Sequence, residues 1–448
     1  MRTKHTLLIV EIILLLFYST IIAQIGRRFP SEKKVITDPV TGSKLIFLTS
    51  TQAGDSKIYP THTQWTSDGN WIVFRSNRVR HELMAVNENS GEIVQVTEGG
   101  YTGTPLVSRK SMKLYYMRDS KENPGSREIV ETNLEKLFND IKTNNLKGAS
   151  EYQHVCGVIP SEFEAYGDLA LDANEEWIWF RVGRNYAMKY LPEGTKIEGN
   201  FGPRNMGAGP SGIAGFNVNT GEIKYVISVP FQIGHIQSNP WVAGQIIFCW
   251  ETGGKSPQRT WIVNSDGTGL RPLYPEAPYE WVTHEVVITP DEVAFAIMGH
   301  RKIPGNYNDT TIINDVSNLG QEKEWGNTGT REKPTGLAVV NIKTKEMFIA
   351  GQITYGSGFW HVAGSSDGRF LAGDNFEREI YLIDRQTHEM ILLSAGHKTT
   401  ARDHPHPSFS PDGTKILIQS AMLSEDGRSM NLCIIPVPDE CLKRNYKK

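Results

Sequence analysis

The chain has 448 residues, a formal net charge of -3 and a hydrophobic content of 39%. That balance, with no basic run, leaves no electrostatic footprint for nucleic acid. The four cysteines, Cys156, Cys249, Cys433 and Cys441, have no CxxC spacing, which argues against a zinc–thiolate site. Cys433 and Cys441 could pair in an oxidising compartment or remain free thiols.

The first segment reads as an export signal. Arg2 and Lys4 precede an apolar run from Leu7 to Ile22, and Ala23 offers a small residue for cleavage before Gln24. A membrane anchor is the alternative, but the run is short and no other long apolar segment follows. The expectation is a secreted or periplasmic protein, with residues 1–23 as signal peptide and no stable membrane insertion after its removal. Residues 24–448 then form one domain.

Internal repeats decide the fold. The clearest unit is Thr63–Thr97, where HTQW, the turn SDGN, WIVFRS, ELMAVN, the turn NSGE and IVQVT succeed one another. Short runs of Val, Ile, Trp and Phe between Gly/Asn/Asp/Ser turns predict four strands. Further along come VSRKSMKLYYM, ALDANEEWIWFRV, NPWVAGQIIFCWE, VVITPDEVAFAIMG, VAGSSDGRFLAGDN and SFSPDGTKILIQSA, each followed by a second strand-rich stretch, so the units number seven. The last lacks a fourth strand, and Lys44–Thr49 could supply it and close the ring. An all-β, seven-bladed β-propeller is therefore expected, because a closed ring leaves no exposed sheet edges. Leu134–Asn144 is the best helical candidate, and a parallel α/β fold is disfavoured.

Histidines are phased within these units. His62, His361 and His406 each stand six residues before an Asp-Gly turn, at Asp68, Asp367 and Asp412, and His404 lies two residues before His406. His235 and His284 fall near the starts of two more units. In a propeller these imidazoles gather at one mouth of the central channel, where a metal or proton-transfer site can be built. Taken singly, each could equally be a structural histidine bonding a neighbouring backbone; His62 is the one most readily assigned to structure. Two long insertions, Arg184–Gly212 and His300–Pro334, project over the same mouth and exceed ordinary connections. Their aromatics, Tyr186, Tyr190, Phe201, Tyr307 and Trp325, could stack on sugar rings or simply anchor the loops.

The stretches GHIQSNPWVAGQIIFCWETG, RTWIVNSDGTGLRPLYPE, WVTHEVVITPDE, WHVAGSSDGRFLAGD and DHPHPSFSPDGTKILIQS resemble, in order, the motifs of bacterial oligogalacturonate lyases. The resemblance covers most of the mature chain and is sharpest in HPHPSF followed by the PDG turn. It implies a seven-bladed polysaccharide lyase that cleaves uronate glycans by β-elimination with a divalent metal, typically Mn2+. It places the metal's histidine ligands on His284, His404 and His406 and the proton-abstracting base on His235. The family's glutamine ligand falls on Ala401, which cannot coordinate; a water, Asp403 or His361 could complete the shell. The family's assisting arginine has no aligned counterpart, leaving Arg204 as the nearest catalytic candidate. Arg184, with His361 and Tyr307, is assigned to substrate binding.

The chemistry is coherent. A cation that neutralises the uronate carboxylate acidifies the C5 proton, and a neutral imidazole can take that proton. Three histidines favour a transition metal over calcium. Tyr186, Tyr190 and Tyr307 are possible donors to the leaving O4. The partner is thus a uronate-containing oligosaccharide or polysaccharide, with ulvan or rhamnosyl-glucuronate as alternative substrates. A non-catalytic TolB-like propeller that binds a glycan or protein is the competing reading. A serine peptidase propeller is disfavoured, since no G-x-S-x-G elbow follows the last unit.

Overall fold

Each unit folds as its composition dictates. Stretches such as Trp71–Ser76 (WIVFRS) and Trp177–Val182 (WIWFRV) are β-branched and aromatic, so they form strands buried on both faces. The turns between them use a repeated device. In Ser365–Gly368 and Ser410–Gly413 the serine hydroxyl donates to the aspartate at 2.6 and 2.5 Å, and the glycines take φ of 72° in both. Only glycine adopts that left-handed conformation without a Cβ clash.

A computed structural model of the protein describes residues 24–200, 206–252, 256–276, 281–298, 336–353 and 358–444. The strands assemble into seven antiparallel sheets. Blade 1 runs Asp55–Lys57, Trp71–Ser76, Leu83–Asn87 and Ile93–Gln95, with Arg28–Phe29 added at its outer edge. Blades 2 and 3 begin at Thr102–Val107 and Leu169–Leu171, blades 4 and 5 at Ile233–Ser238 and Trp281–Thr289, and blade 6 at Phe359–Gly364. Blade 7 consists of Ser408–Phe409, Lys415–Ser420 and Asn431–Pro436, joined by Lys44–Phe47, whose Ile46 is paired with Ile434. First strands of successive blades touch from blade 2 round to blade 7 and so line the channel.

The core lies between blades. Phe74, Met84 and Ile93 of blade 1 pack on Leu417, Leu432 and Ile434 of blade 7, and Phe370 and Leu382 of blade 6 pack on Ile416 and Cys433. Burying each such side chain stabilises the ring by ~1.5–3 kcal/mol. The expected helix is present as Leu134–Lys142, capped by the Asn133 side chain, with Leu134, Leu137 and Ile141 buried. All four cysteines are free thiols. No described helix is long and apolar enough to cross a membrane. The proposed export signal, residues 201–205 and the segment 299–335 lie outside the described residues.

Candidate active site at the histidine mouth

Inner strands of several blades carry a register shift near the same mouth. It falls between Gly234 and Gln237 in blade 4, between Thr283 and Val286 in blade 5, and between Phe359 and His361 in blade 6. His235 and His284 sit within two of these shifts with φ of 50° and 56°, and His406, just ahead of the first strand of blade 7, has φ of 51°. A left-handed residue with a Cβ is strained by about 1–2 kcal/mol. Such strain tends to concentrate at working sites, where neighbouring structure enforces it.

The bulges turn the imidazoles toward one another. Ring centroids lie 4.2 Å apart for His284 and His361, 3.8 Å for His361 and His406, and 5.2 Å for His361 and His404. His235 lies 6.0 Å from His284. Tyr59, from the connection after the first strand of blade 1, stands 5.0 Å from His235 and 5.2 Å from His406.

Two centres can be distinguished. In the first, Asp374 accepts from Nδ1 of His361 at 3.0 Å and from Nδ1 of His404 at 3.2 Å. This fixes both rings with Nε2 as the lone-pair nitrogen, the arrangement in which histidine binds a metal. His284 Nδ1 is likewise taken, by the Trp360 carbonyl at 2.8 Å. His406 is buried; its Nε2 faces Asp403 Oδ2 at 3.0 Å, whereas its Nδ1 has no hydrogen-bond partner. A buried ring nitrogen without a partner is costly unless something else binds it. His361, Asp374 and His404 can each bring one ligand atom within 4.8 Å of the others. The donor set therefore fits a divalent cation. Burial and the adjacent imidazoles push the His361 pKa down to about 3, despite the opposing charge of Asp374. His284 is also held well below the ordinary imidazole value, by burial first and then by His361. Both rings are neutral, as ligation requires.

The second centre surrounds His235. Its Nδ1 lies 3.5 Å from Glu285 Oε1 and its Nε2 3.5 Å from Glu251 Oε2. Arg259, fully buried, donates from Nε to Glu285 Oε2 at 3.2 Å. Burial alone lowers the His235 pKa, but the Glu285 hydrogen bond and the Glu251 charge outweigh it, so the net shift is upward. The Tyr59 phenol is pushed well above its ordinary value by burial and by Glu285, and stays protonated.

His235, His284, His361, His404 and His406 are thus brought together. His62 is apart in role: its Nε2 meets the Leu169 carbonyl at 2.7 Å and its Nδ1 the Thr61 hydroxyl at 2.6 Å. Arg184 is exposed at the start of the short helix Arg184–Met188. Ala401 donates its N–H to the Lys398 carbonyl. Tyr186 and Tyr190 stack against Phe163 and Tyr225 at the blade 3 rim. Arg204, Tyr307, Phe201 and Trp325 fall outside the described residues. Tyr59, Glu251, Arg259, Glu285 and Asp374 were not singled out by sequence reasoning, though Glu251, Arg259, Glu285 and Asp374 stand inside motifs that were.

Fold and site together define a seven-bladed propeller with a histidine–carboxylate centre at one mouth. No family model matches the chain. It is similar to the oligogalacturonate lyase of Dickeya dadantii, 25% identical over 92% of this chain and 98% of that protein. A comparable likeness, 26% identity over 92% and 98%, joins it to an oligogalacturonide lyase of Pectobacterium atrosepticum. Among solved structures, an oligogalacturonate lyase in complex with manganese superposes with a TM-score of 0.71, at 18% identity, covering 94% of this chain and all of that one. An oligogalacturonate lyase from Vibrio parahaemolyticus gives a TM-score of 0.68 at 18% identity, covering 93% and 99%.

Proposed function

We propose that the protein is a secreted or periplasmic lyase that cleaves a uronate-containing oligosaccharide by β-elimination. The observation that carries this reading is His235, held between Glu251 and Glu285 and set beside four further imidazoles. His235 Nδ1 lies 3.5 Å from both Glu285 Oε1 and Arg259 Nη2; in the tautomer that gives its Nδ1 proton to the buried Glu285, Nε2 is the basic nitrogen. It removes the C5 proton of the uronate; the electron pair forms the C4–C5 double bond as the C4–O4 bond breaks. The protonated Tyr59 phenol, close to His235 and His406, donates to the leaving O4. Glu251 and Glu285 stabilise the imidazolium that results. His361, His404 and His406, with His284, would hold a divalent metal, Mn2+ being the ion in the solved relative; bound there, it supplies positive charge to the substrate carboxylate. The relatives' names point to oligogalacturonate as the first substrate to try.

The experiment is near-ultraviolet absorbance during incubation with oligogalacturonate, ulvan and rhamnose-capped glucuronate oligosaccharides, with and without Mn2+. A rise on one of them reports the unsaturated product and names the substrate. Flat traces on all, with tight glycan binding by calorimetry, would replace this reading with a binding propeller.

A further inference from the structure

Arg378 stands in the turn between the second and third strands of blade 6, on the histidine mouth. It adopts a left-handed φ of 69°. That geometry is enforced by Asn375, which is fully buried: its side-chain oxygen accepts from Glu379 N at 2.8 Å, and its carbonyl accepts from Arg378 N at 3.1 Å. The backbone is thus clamped so that Arg378 is displayed four residues beyond Asp374.

Part of its guanidinium is left unused. Nε and Nη1 are both buried and have no hydrogen-bond partner, and among the described residues no carboxylate pairs with it within 4.0 Å. Two acids whose charge reaches it are already engaged. Asp374 serves His361 and His404, while Asp403 accepts from the His404 N–H and faces His406. Both still act on Arg378 through their charge. In the same turn, two residues before Arg378, Phe376 lies 4.9 Å from Trp360 and 5.7 Å from His404. Burying charged donors without partners is destabilising, and the left-handed backbone adds to that penalty. A ligand that completes the fork removes the first penalty. The planar guanidinium matches a carboxylate, which can accept two parallel N–H bonds.

We propose that Arg378 is a carboxylate receptor of this mouth, selecting glycans that carry a free uronate over esterified or neutral counterparts. The turnover arm of the test rests on the lyase reading; the binding arm does not. Metal-loaded full-length protein, wild type, Arg378→Gln and Arg378→Lys, is assayed with trigalacturonate and with its methyl ester. Rates and calorimetric binding are both measured. Arg378→Gln should weaken kcat/KM on the free acid about tenfold or more, chiefly through KM, and collapse the preference for acid over ester. Arg378→Lys should fall between. Metal content should be unchanged, and the thermal midpoint should not drop, because no internal partner is lost. Unchanged constants on the acid, or an unchanged acid-to-ester ratio, would overturn the assignment. Product formation with unchanged Arg378→Gln constants removes this proposal and keeps the lyase. Binding that depends on Arg378 without any product does the reverse, and a wild type that neither binds nor cleaves the trimer removes both.

Discussion

Asp374 Oδ1 lies 3.0 Å from His361 Nδ1, and the same oxygen accepts the His361 backbone N–H at 2.8 Å. The other oxygen reaches His404 of the next blade. One carboxylate, fully buried, therefore orients two imidazoles from two blades and keeps their Nε2 lone pairs directed outward. The two histidines hold the Asp374 pKa well below the usual carboxylate range against the effect of its burial.

Asp374→Asn tests that role. The amide keeps the shape but can no longer accept from both rings, and one ring would rotate or change tautomer. Loss of such an orienting partner typically weakens metal binding about 10–100-fold. Metal content after dialysis against a graded chelator should show this, with the propeller still folded by circular dichroism. Full retention of metal would place the ion elsewhere.

His235→Asn should remove turnover while preserving the fold. Asparagine tolerates the left-handed backbone that His235 occupies, so strain is not increased. A lost general base lowers the rate by about 10²–10⁴-fold. Near-wild-type product formation by this variant would dismiss His235 as base.

The same residue sets a pH dependence. A base acts in its neutral form, and the net effect of Glu285 and Glu251 is to raise its pKa above the ordinary 6.5. Activity should therefore rise with pH on the acid limb, with the inflection of kcat/KM above 6.5. Glu251→Gln removes one raising charge and should move that inflection to lower pH. An inflection that stays put would show that another group controls the limb.

Much of this was legible in the sequence, and the exceptions have physical reasons. The blade count and the convergence of His235, His284, His361, His404 and His406 follow from periodicity, since repeated units place equivalent positions at one mouth. The left-handed geometry of His235, His284 and His406, at a strand bulge for the first two and just before a strand for the third, carries no residue signature, because glycine, the usual marker, is absent at those positions. Arg259, although it opens the RTWIVNSDG motif, and Tyr59 were not singled out, for a different cause. Each reaches the site across a strand or a blade, and nothing in its local sequence announces the partner. Asp374 was visible only as part of a Gly-Asp pair, with no hint that it would join two histidines 13 and 30 residues away.

Two histidines that serve structure predict an acid-sensitive fold. His62 and His397 each have both ring nitrogens engaged: His62 with Thr61 and Leu169, His397 with the hydroxyls of Ser394 and Ser420 at 2.8 and 2.7 Å. Burial brings each pKa down from 6.5 to about 4. In the unfolded chain they titrate near 6.5, so between these values the unfolded state binds protons that the folded state refuses. Stability then rises with pH across that window; it is fully present above about 6.5 and is lost as pH falls toward 4. The thermal midpoint should accordingly decline between pH 7 and pH 4. His62→Gln with His397→Gln should start less stable, each by about 1–3 kcal/mol for the hydrogen bonds lost. It should also show a shallower decline with acid. A double variant whose midpoint falls as steeply as the wild type would transfer the acid sensitivity to the histidines of the mouth.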